Sequence, residues 1–243
     1  MKKIFCFLLL MPLCFLLKAQ QKDYDTVALM ILDRMSDVIG DLSSCSYVLN
    51  TATDRLDNGS LTTAYSRDEV YMMGPDKMLV NAYGEKGHRS FFYNGTTMNY
   101  YSFKENNYAT VDAPPTIIEA IDSLSATYGI DFPAADFFYP TFTDDLLGYC
   151  DKIDYLGLAE VDGKECFHIL AKGKNINIQV WVTNDATTLP QKLLINYTGS
   201  KTTQRYEAGF SAWQLNPVLP AAMFDFLPPP NANAVYLMPK TSK

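Results

Sequence analysis

Between Leu156 and Tyr197 the chain reads LGLAEVDGKECFHILAKGKNINIQVWVTNDATTLPQKLLINY, three strand-length runs, each closed by its own turn chemistry. Val161-Asp162-Gly163 is a hairpin turn, because Asp-Gly supplies the positive φ angles that a tight antiparallel reversal needs. Asn184-Asp185 opens the next reversal, ahead of Leu189-Pro190. A block of this kind can only fold as an antiparallel meander.

The same two-residue period governs the first half of the chain. Strand-like runs cover Tyr47 to Thr53, Ser60 to Ser66, Glu69 to Met73, Lys77 to Tyr83, Arg89 to Tyr93, Met98 to Phe103 and Tyr108 to Val111. Turn residues separate them at Asp57-Asn58-Gly59, Gly74-Pro75-Asp76, Asn94-Gly95 and Glu105-Asn106-Asn107. Twist accumulates from strand to strand, so a sheet of this length curls or closes.

Helical spacing appears in two places. Ala28, Leu29, Ile31, Leu32, Met35, Val38 and Ile39 form an apolar stripe that opens at Asp25 and stops at Gly40. After Pro114-Pro115 a second helix runs from Thr116 to Gly129, with shorter helical stretches at Ala134 to Tyr139 and Asp144 to Cys150. The middle of the chain is therefore a helical insertion between two halves of a sheet. Gln204 to Trp213 is the last long strand, and Leu227 to Pro230 is a proline-rich ending. The fold class is mainly β (α+β), with helices covering an antiparallel sheet.

Residues 1–20 read as a secretory signal: Lys2 and Lys3 precede an apolar run from Ile4 to Leu17, and Lys18-Ala19-Gln20 forms the exit. The run is shorter than the roughly 20 apolar residues of a membrane span. Cys14 follows Met11-Pro12-Leu13, which is a poor lipidation signal, so cleavage is expected near Ala19 or Gln20. Residues 21–243 are then one exported domain. Losing three lysines leaves 17 basic residues against 27 acidic, a net charge of −10 that repels nucleic acid.

Cys45, Cys150 and Cys166 remain after cleavage, in a compartment where oxidation is possible. One disulfide with one thiol left over and three buried thiols are both compatible with the sequence.

No catalytic constellation emerges. His88 and His168 lack the close-spaced partners of a zinc site, there is no G-x-S-x-G elbow, and neither phosphate-binding glycine motif is present. No cofactor is expected. The acidic pairs Asp68-Glu69, Asp144-Asp145 and Asp151 with Asp154 read as solvated turns and helix N-termini. What the final strands do show is a shared apolar face: Ile178, Val180 and Val182, then Leu193, Ile195 and Tyr197, then Tyr206, Ala208 and Phe210. Gln179, Trp181, Thr183, Lys192, Asn196, Glu207 and Ser211 alternate onto the other face.

A set of short motifs runs in order along the chain. These are Tyr93-Asn94-Gly95-Thr96-Thr97-Met98, Asn107-Tyr108-Ala109-Thr110-Val111, Tyr128-Gly129-Ile130, Pro133-Ala134-Ala135-Asp136, Tyr155-Leu156-Gly157, Val161-Asp162-Gly163, Cys166 with His168, Gln179-x-Trp181 and Leu189-Pro190-x-Lys192-Leu193. The arrangement resembles a predicted periplasmic family, domain of unknown function 2092, which is similar to the LolA and LolB lipoprotein carriers. The resemblance implies an open, strongly curved antiparallel sheet, a LolA-like half-barrel covered by helices, in the periplasm. It also implies a non-enzymatic carrier or sensor that holds a lipid acyl chain or other hydrophobic ligand. Ile178, Val180, Val182, Leu193, Ile195, Tyr197, Tyr206 and Phe210 are then the candidate ligand-binding lining. An envelope protein-interaction module using exposed Trp181 and Trp213 is the alternative, and a hydrolase the third. Partners would be a hydrophobic ligand, a lipoprotein acyl chain or an envelope protein, and the processed chain would not be an integral membrane protein.

Overall fold

The computed structural model describes residues 22–199 and 202–240, so the expected signal segment, with Cys6 and Cys14, lies outside the described residues. β1 (Asp23–Tyr24) leads into α1 (Thr26–Gly40). A first meander follows: β2 (Ser44–Asp57), β3 (Ser60–Met73), β4 (Lys77–Gly84), β5 (Gly87–Tyr93), β6 (Thr97–Ser102) and β7 (Asn107–Asp112). The insertion comprises α2 (Ile117–Tyr128), a 3-10 turn over Ala135–Phe138 and α3 (Phe142–Tyr149). The second meander is β8 (Lys152–Val161), β9 (Lys164–Gly173), β10 (Ile176–Thr183), β11 (Pro190–Tyr197) and β12 (Gln204–Leu215). A 3-10 turn at Ala221–Phe224 and the short β13 (Asn233–Ala234) complete the described chain.

All these strands form one 13-stranded sheet in the order β1-β8-β9-β10-β11-β12-β2-β3-β4-β5-β6-β7-β13. Its ends do not meet, so it is an open curved sheet and not a barrel. The two meanders join where β12 returns to pair with β2, from Tyr206 opposite Thr53 to Leu215 opposite Cys45. The sheet is antiparallel except at its two edges, where β1 and β13 add two-residue parallel pairings. Those short additions cover backbone groups that an edge strand would otherwise leave exposed.

Local chemistry explains most boundaries. At both Asn58-Gly59 and Asp162-Gly163 the two central residues have positive φ, at 48° and 83° and at 51° and 75°. This is the turn whose twist matches a hairpin. The Asp25 carboxylate caps α1 by accepting from the Val27 N–H at 2.8 Å. The Thr116 hydroxyl caps α2, accepting from the Glu119 N–H at 3.3 Å and donating to the Glu119 carboxylate at 2.8 Å, and Gly129 ends it at φ 68°.

One expectation changes. The runs Ser60 to Ser66 and Glu69 to Met73 are one continuous strand, because Arg67 and Asp68 stay in register with Asn50 and Leu49. The turn after Leu215 is followed by a segment that packs on the convex face, where the Phe226 ring lies 5.3 Å from Phe92 and 5.5 Å from Tyr108. This segment rounds the β7 edge and ends on α2, where the Lys240 ammonium donates to the Ser125 carbonyl at 2.6 Å. A cation at the carbonyl end of a helix is favourable.

The core lies on the concave face, between the sheet and α1, α2, α3 and the 3-10 turn at Ala135–Phe138. Ala28, Leu32, Met35 and Ile39 form the buried stripe of α1. The three cysteines are free and buried, at 3% exposure for Cys45, 1% for Cys150 and 0% for Cys166. Burial pushes the Cys45 thiol up to about 12. Thiolate is the reactive form, so thiol reagents should label native protein slowly and reach Cys45, Cys150 and Cys166 together only in denaturant. Labelling of a single thiol in unreduced, denatured protein would instead reveal a disulfide.

Candidate functional site

Strand registry puts the expected apolar lining on one surface: Ile178 faces Ile195, Val180 faces Leu193, and Ile195 faces Tyr206. Phe210 sits opposite Leu49, which carries the lining across the joint onto β2. The covering helices fill this wing. Val180, Val182, Leu193 and Phe210 are fully buried, Ile178, Ile195 and Tyr206 are half-buried, and Tyr197 is 45% exposed. Phe137 from the 3-10 turn meets Phe210 edge-on at 5.4 Å.

Open space lies on the other wing. A cavity of about 20 Å³ is lined by Tyr47 and Leu49 of β2, Asp68, Val70 and Met72 of β3, and Met78 and Val80 of β4, with Ile121, Phe132, Pro133 and Ala135 as its roof. None of the eight expected lining residues borders it. Its size suits about one water molecule.

Asp68 is the polar member of that wall. Alternation along β3 turns Ala64, Ser66, Asp68, Val70 and Met72 to the same side, so the carboxylate stands in an apolar row at 4% exposure. The expectation of a solvated turn acid is therefore corrected: Asp68 is central in a strand and beneath the insertion. Burial lifts it to about 6, against a lowering by the Arg89 charge and a hydrogen bond from the Ser66 side chain. Ser66 in turn contacts the Thr51 hydroxyl at 2.8 Å. Asp68 Oδ1, Arg89 Nε and the Tyr206 hydroxyl are all buried without a hydrogen-bond partner. Burial also raises the Tyr206 phenol, helped by the charges of Asp68 and Asp136. The inward phase of β3 is the one sequence signal that could have singled out Asp68.

The two histidines lie elsewhere. His168 stacks on Trp181 with centroids 4.4 Å apart and shares a 2.9 Å hydrogen bond with Gln179. His88 lies between Tyr83 and Phe103, at centroid distances of 4.3 Å and 3.7 Å. Among the described residues no group of three His, Cys, Asp or Glu side chains could hold a metal ion. Trp213 is not an exposed aromatic. A bulge between Ser211 and Gln214, with Ala212 at φ 53°, turns it inward onto Tyr47 at 4.5 Å.

Residues 28–238 match the family described as "Predicted periplasmic protein (DUF2092)", and the chain belongs to that family. It is accordingly a periplasmic protein, and among the described residues no helix is long and apolar enough to cross a membrane. No curated protein sequence matches it. An uncharacterized conserved protein from Thermus thermophilus shares the fold at 10% identity, with 86% of this chain and 98% of that one covered and a TM-score of 0.50. Looser likenesses are the Mycobacterium tuberculosis lipoprotein LppX (14% identity, 81% and 99% covered, TM-score 0.47) and a LolA superfamily protein from Nitrosomonas europaea (13% identity, 82% and 97% covered, TM-score 0.38).

Asp68 makes the fold pH-sensitive in a defined direction. Its folded pKa lies above the ordinary 3.8, so the native state holds the proton more tightly than the unfolded chain. The resulting cost is absent below 3.8, grows on the way up, and is complete above about 6. Asp68→Asn should therefore stabilise the protein by on the order of 1–2 kcal/mol at neutral pH. In urea titrations that advantage should shrink toward zero as the pH falls to about 4.

Proposed function

We propose that this periplasmic chain binds a lipid acyl chain or another hydrophobic ligand on its concave face, as a carrier or sensor. The observation that carries this reading is the continuity of the apolar surface. It runs from Ile153 and Ile169 through Val180, Leu193 and Phe210 to Leu49, Val70, Val80 and Phe91, and everything above it is insertion or α1. Such a surface gives roughly 0.8 kcal/mol per buried CH₂ without any special polar group.

Uptake of a ligand requires the cover to move. Ligand pockets run to roughly 300–1,000 Å³, whereas the space beneath Ile121, Phe132 and Ala135 is about 20 Å³. The segment from Ile117 to Tyr139 must therefore lift from β2, β3 and β4. The bonds that tie this segment to the rest include Ile117 N–H to the Pro75 carbonyl at 2.9 Å and, from Lys240, the N–H and ammonium to the Thr127 and Ser125 carbonyls at 2.7 and 2.6 Å; the Tyr139 hydroxyl donates to Asp122 at 2.6 Å within the segment and can move with it. A ligand chain would replace the contacts these residues make with the sheet.

Protein recovered from a periplasmic fraction should release lipid on organic extraction, detected by mass spectrometry. After delipidation it should take up a fluorescent fatty-acyl probe. Val80→Phe overfills a cavity of about 20 Å³, so it should weaken uptake at least tenfold at a cost of about 1–3 kcal/mol in stability. Absence of both extracted lipid and probe uptake would remove this reading.

A further inference from the structure

One wall of the cavity is chemically out of place. Val70, Met72, Met78 and Val80 suit a hydrocarbon, but Asp68 among them is 4% exposed and leaves Oδ1 without a partner. An unpartnered buried acceptor is destabilising, and more so when charged, so a fold that only needed a core would be better served by an aliphatic side chain there. The groups around it are also incompletely satisfied. Across β4 from Asp68, with only Ala82 between them, stands Arg89 of β5, whose Nε has no partner. From β12 the unpartnered Tyr206 hydroxyl is within electrostatic reach of Asp68. The roof adds no cation: Ile121, Phe132, Pro133 and Ala135 are apolar, and Asp136 beside them is acidic. Tyr47 of β2 and Ser66 of β3 complete the groups that face the carboxylate.

We propose that Asp68 is a specificity-determining residue of the concave site, accepting a hydrogen bond from the head group of a neutral single-chain amphiphile, a hydroxy ester or amide of a fatty acid. The proposal rests on the hydrophobic-ligand reading above and specifies which end of the ligand is recognised. A hydroxyl or amide N–H donates to Oδ1, and the carbonyl of the same head group accepts from Arg89 Nε or the Tyr206 hydroxyl. The hydrocarbon then lies along Val70, Met72 and Val80. A free fatty carboxylate has no donor to offer, and its charge opposes that of Asp68. A plain ester accepts from Arg89 or Tyr206 but leaves Oδ1 unpaired.

Three probes with the same sixteen-carbon chain separate these cases: glycerol monopalmitate, methyl palmitate and palmitate. At about pH 7.5, well above the titration of Asp68, displacement of the fluorescent acyl probe should rank the monoacylglycerol roughly tenfold ahead of the other two. Asp68→Asn keeps the volume and the Ser66 contact while removing the charge, and should raise palmitate affinity several-fold. Asp68→Ala should abolish the preference for the monoacylglycerol over methyl palmitate, with a single cooperative melting transition as the check that the variant is folded. Equal affinities for all three probes in the wild-type protein, or a preference untouched by both substitutions, would overturn the role given to Asp68 and leave the apolar groove standing. Failure of every probe to bind would instead defeat the groove itself.

Discussion

The pairing of β12 with β2 is the contact on which the concave face depends. It brings residues such as Ser211 and Val48, 163 positions apart, into one ladder. Without it the chain is two separate meanders, each with an apolar face and no partner. Closing so long a loop costs entropy, though the cost grows only slowly with length. It is offset where the sheet curls and the apolar faces of both meanders turn toward the same helices. The bulge at Ala212 belongs to this joint, since it swings Trp213 under the sheet to pack on Tyr47, Phe210 and Phe138.

The joint also divides the face into unequal wings. On the β8–β12 side, α1 and α3 meet an unbroken aliphatic wall, and Ile153, Ile169, Val180 and Val182 are fully enclosed. On the β2–β5 side the cover is a bent segment carrying Pro133 and an alanine at positive φ, Ala134. Small residues neighbour Asp68 on β4, where Ala82 faces Asp68 and Gly84 faces Ser66. Close packing is therefore tight around Ile153, Ile169, Val180 and Val182 and looser around Asp68, Val70 and Val80, where the cavity lies. That asymmetry, rather than the total apolar area, locates the adaptable part of the molecule.

Much of this architecture was legible in the residues. The Asn-Gly and Asp-Gly turns marked hairpins because few other dipeptides tolerate two positive φ angles. Alternation on β10, β11 and β12 placed Val180, Leu193 and Phe210 on one surface because no bulge intervenes between Ile176 and Trp181. Reading failed where a local rule was broken by tertiary context. Trp213 lies beyond a bulge that shifts the side-chain phase, and Asp68 interrupted the apolar alternation of β3, so that one strand looked like two. The segment around Phe226 carries no period at all, since it is held by rings on the convex face and by main-chain bonds to β7. The cavity depends on how α2 and Phe132 settle over three strands, which no single stretch of sequence encodes.

Asp68 ties these observations together. The same parity that carries Val70 and Met72 into the core forces position 68 inward, so an acid there is desolvated by the geometry of the strand. Arg89, two strands away, favours the ionised form but leaves Oδ1 unpaired. A polar group kept at an energetic loss inside a wall of methionine, valine and leucine is most simply explained by something that binds it. In a purely structural core the substitution to an aliphatic residue would improve packing and solvation together. On the surface proposed to open to an amphiphile, the unsatisfied oxygen would separate ligands by their head groups, a distinction that the hydrocarbon wall alone cannot make.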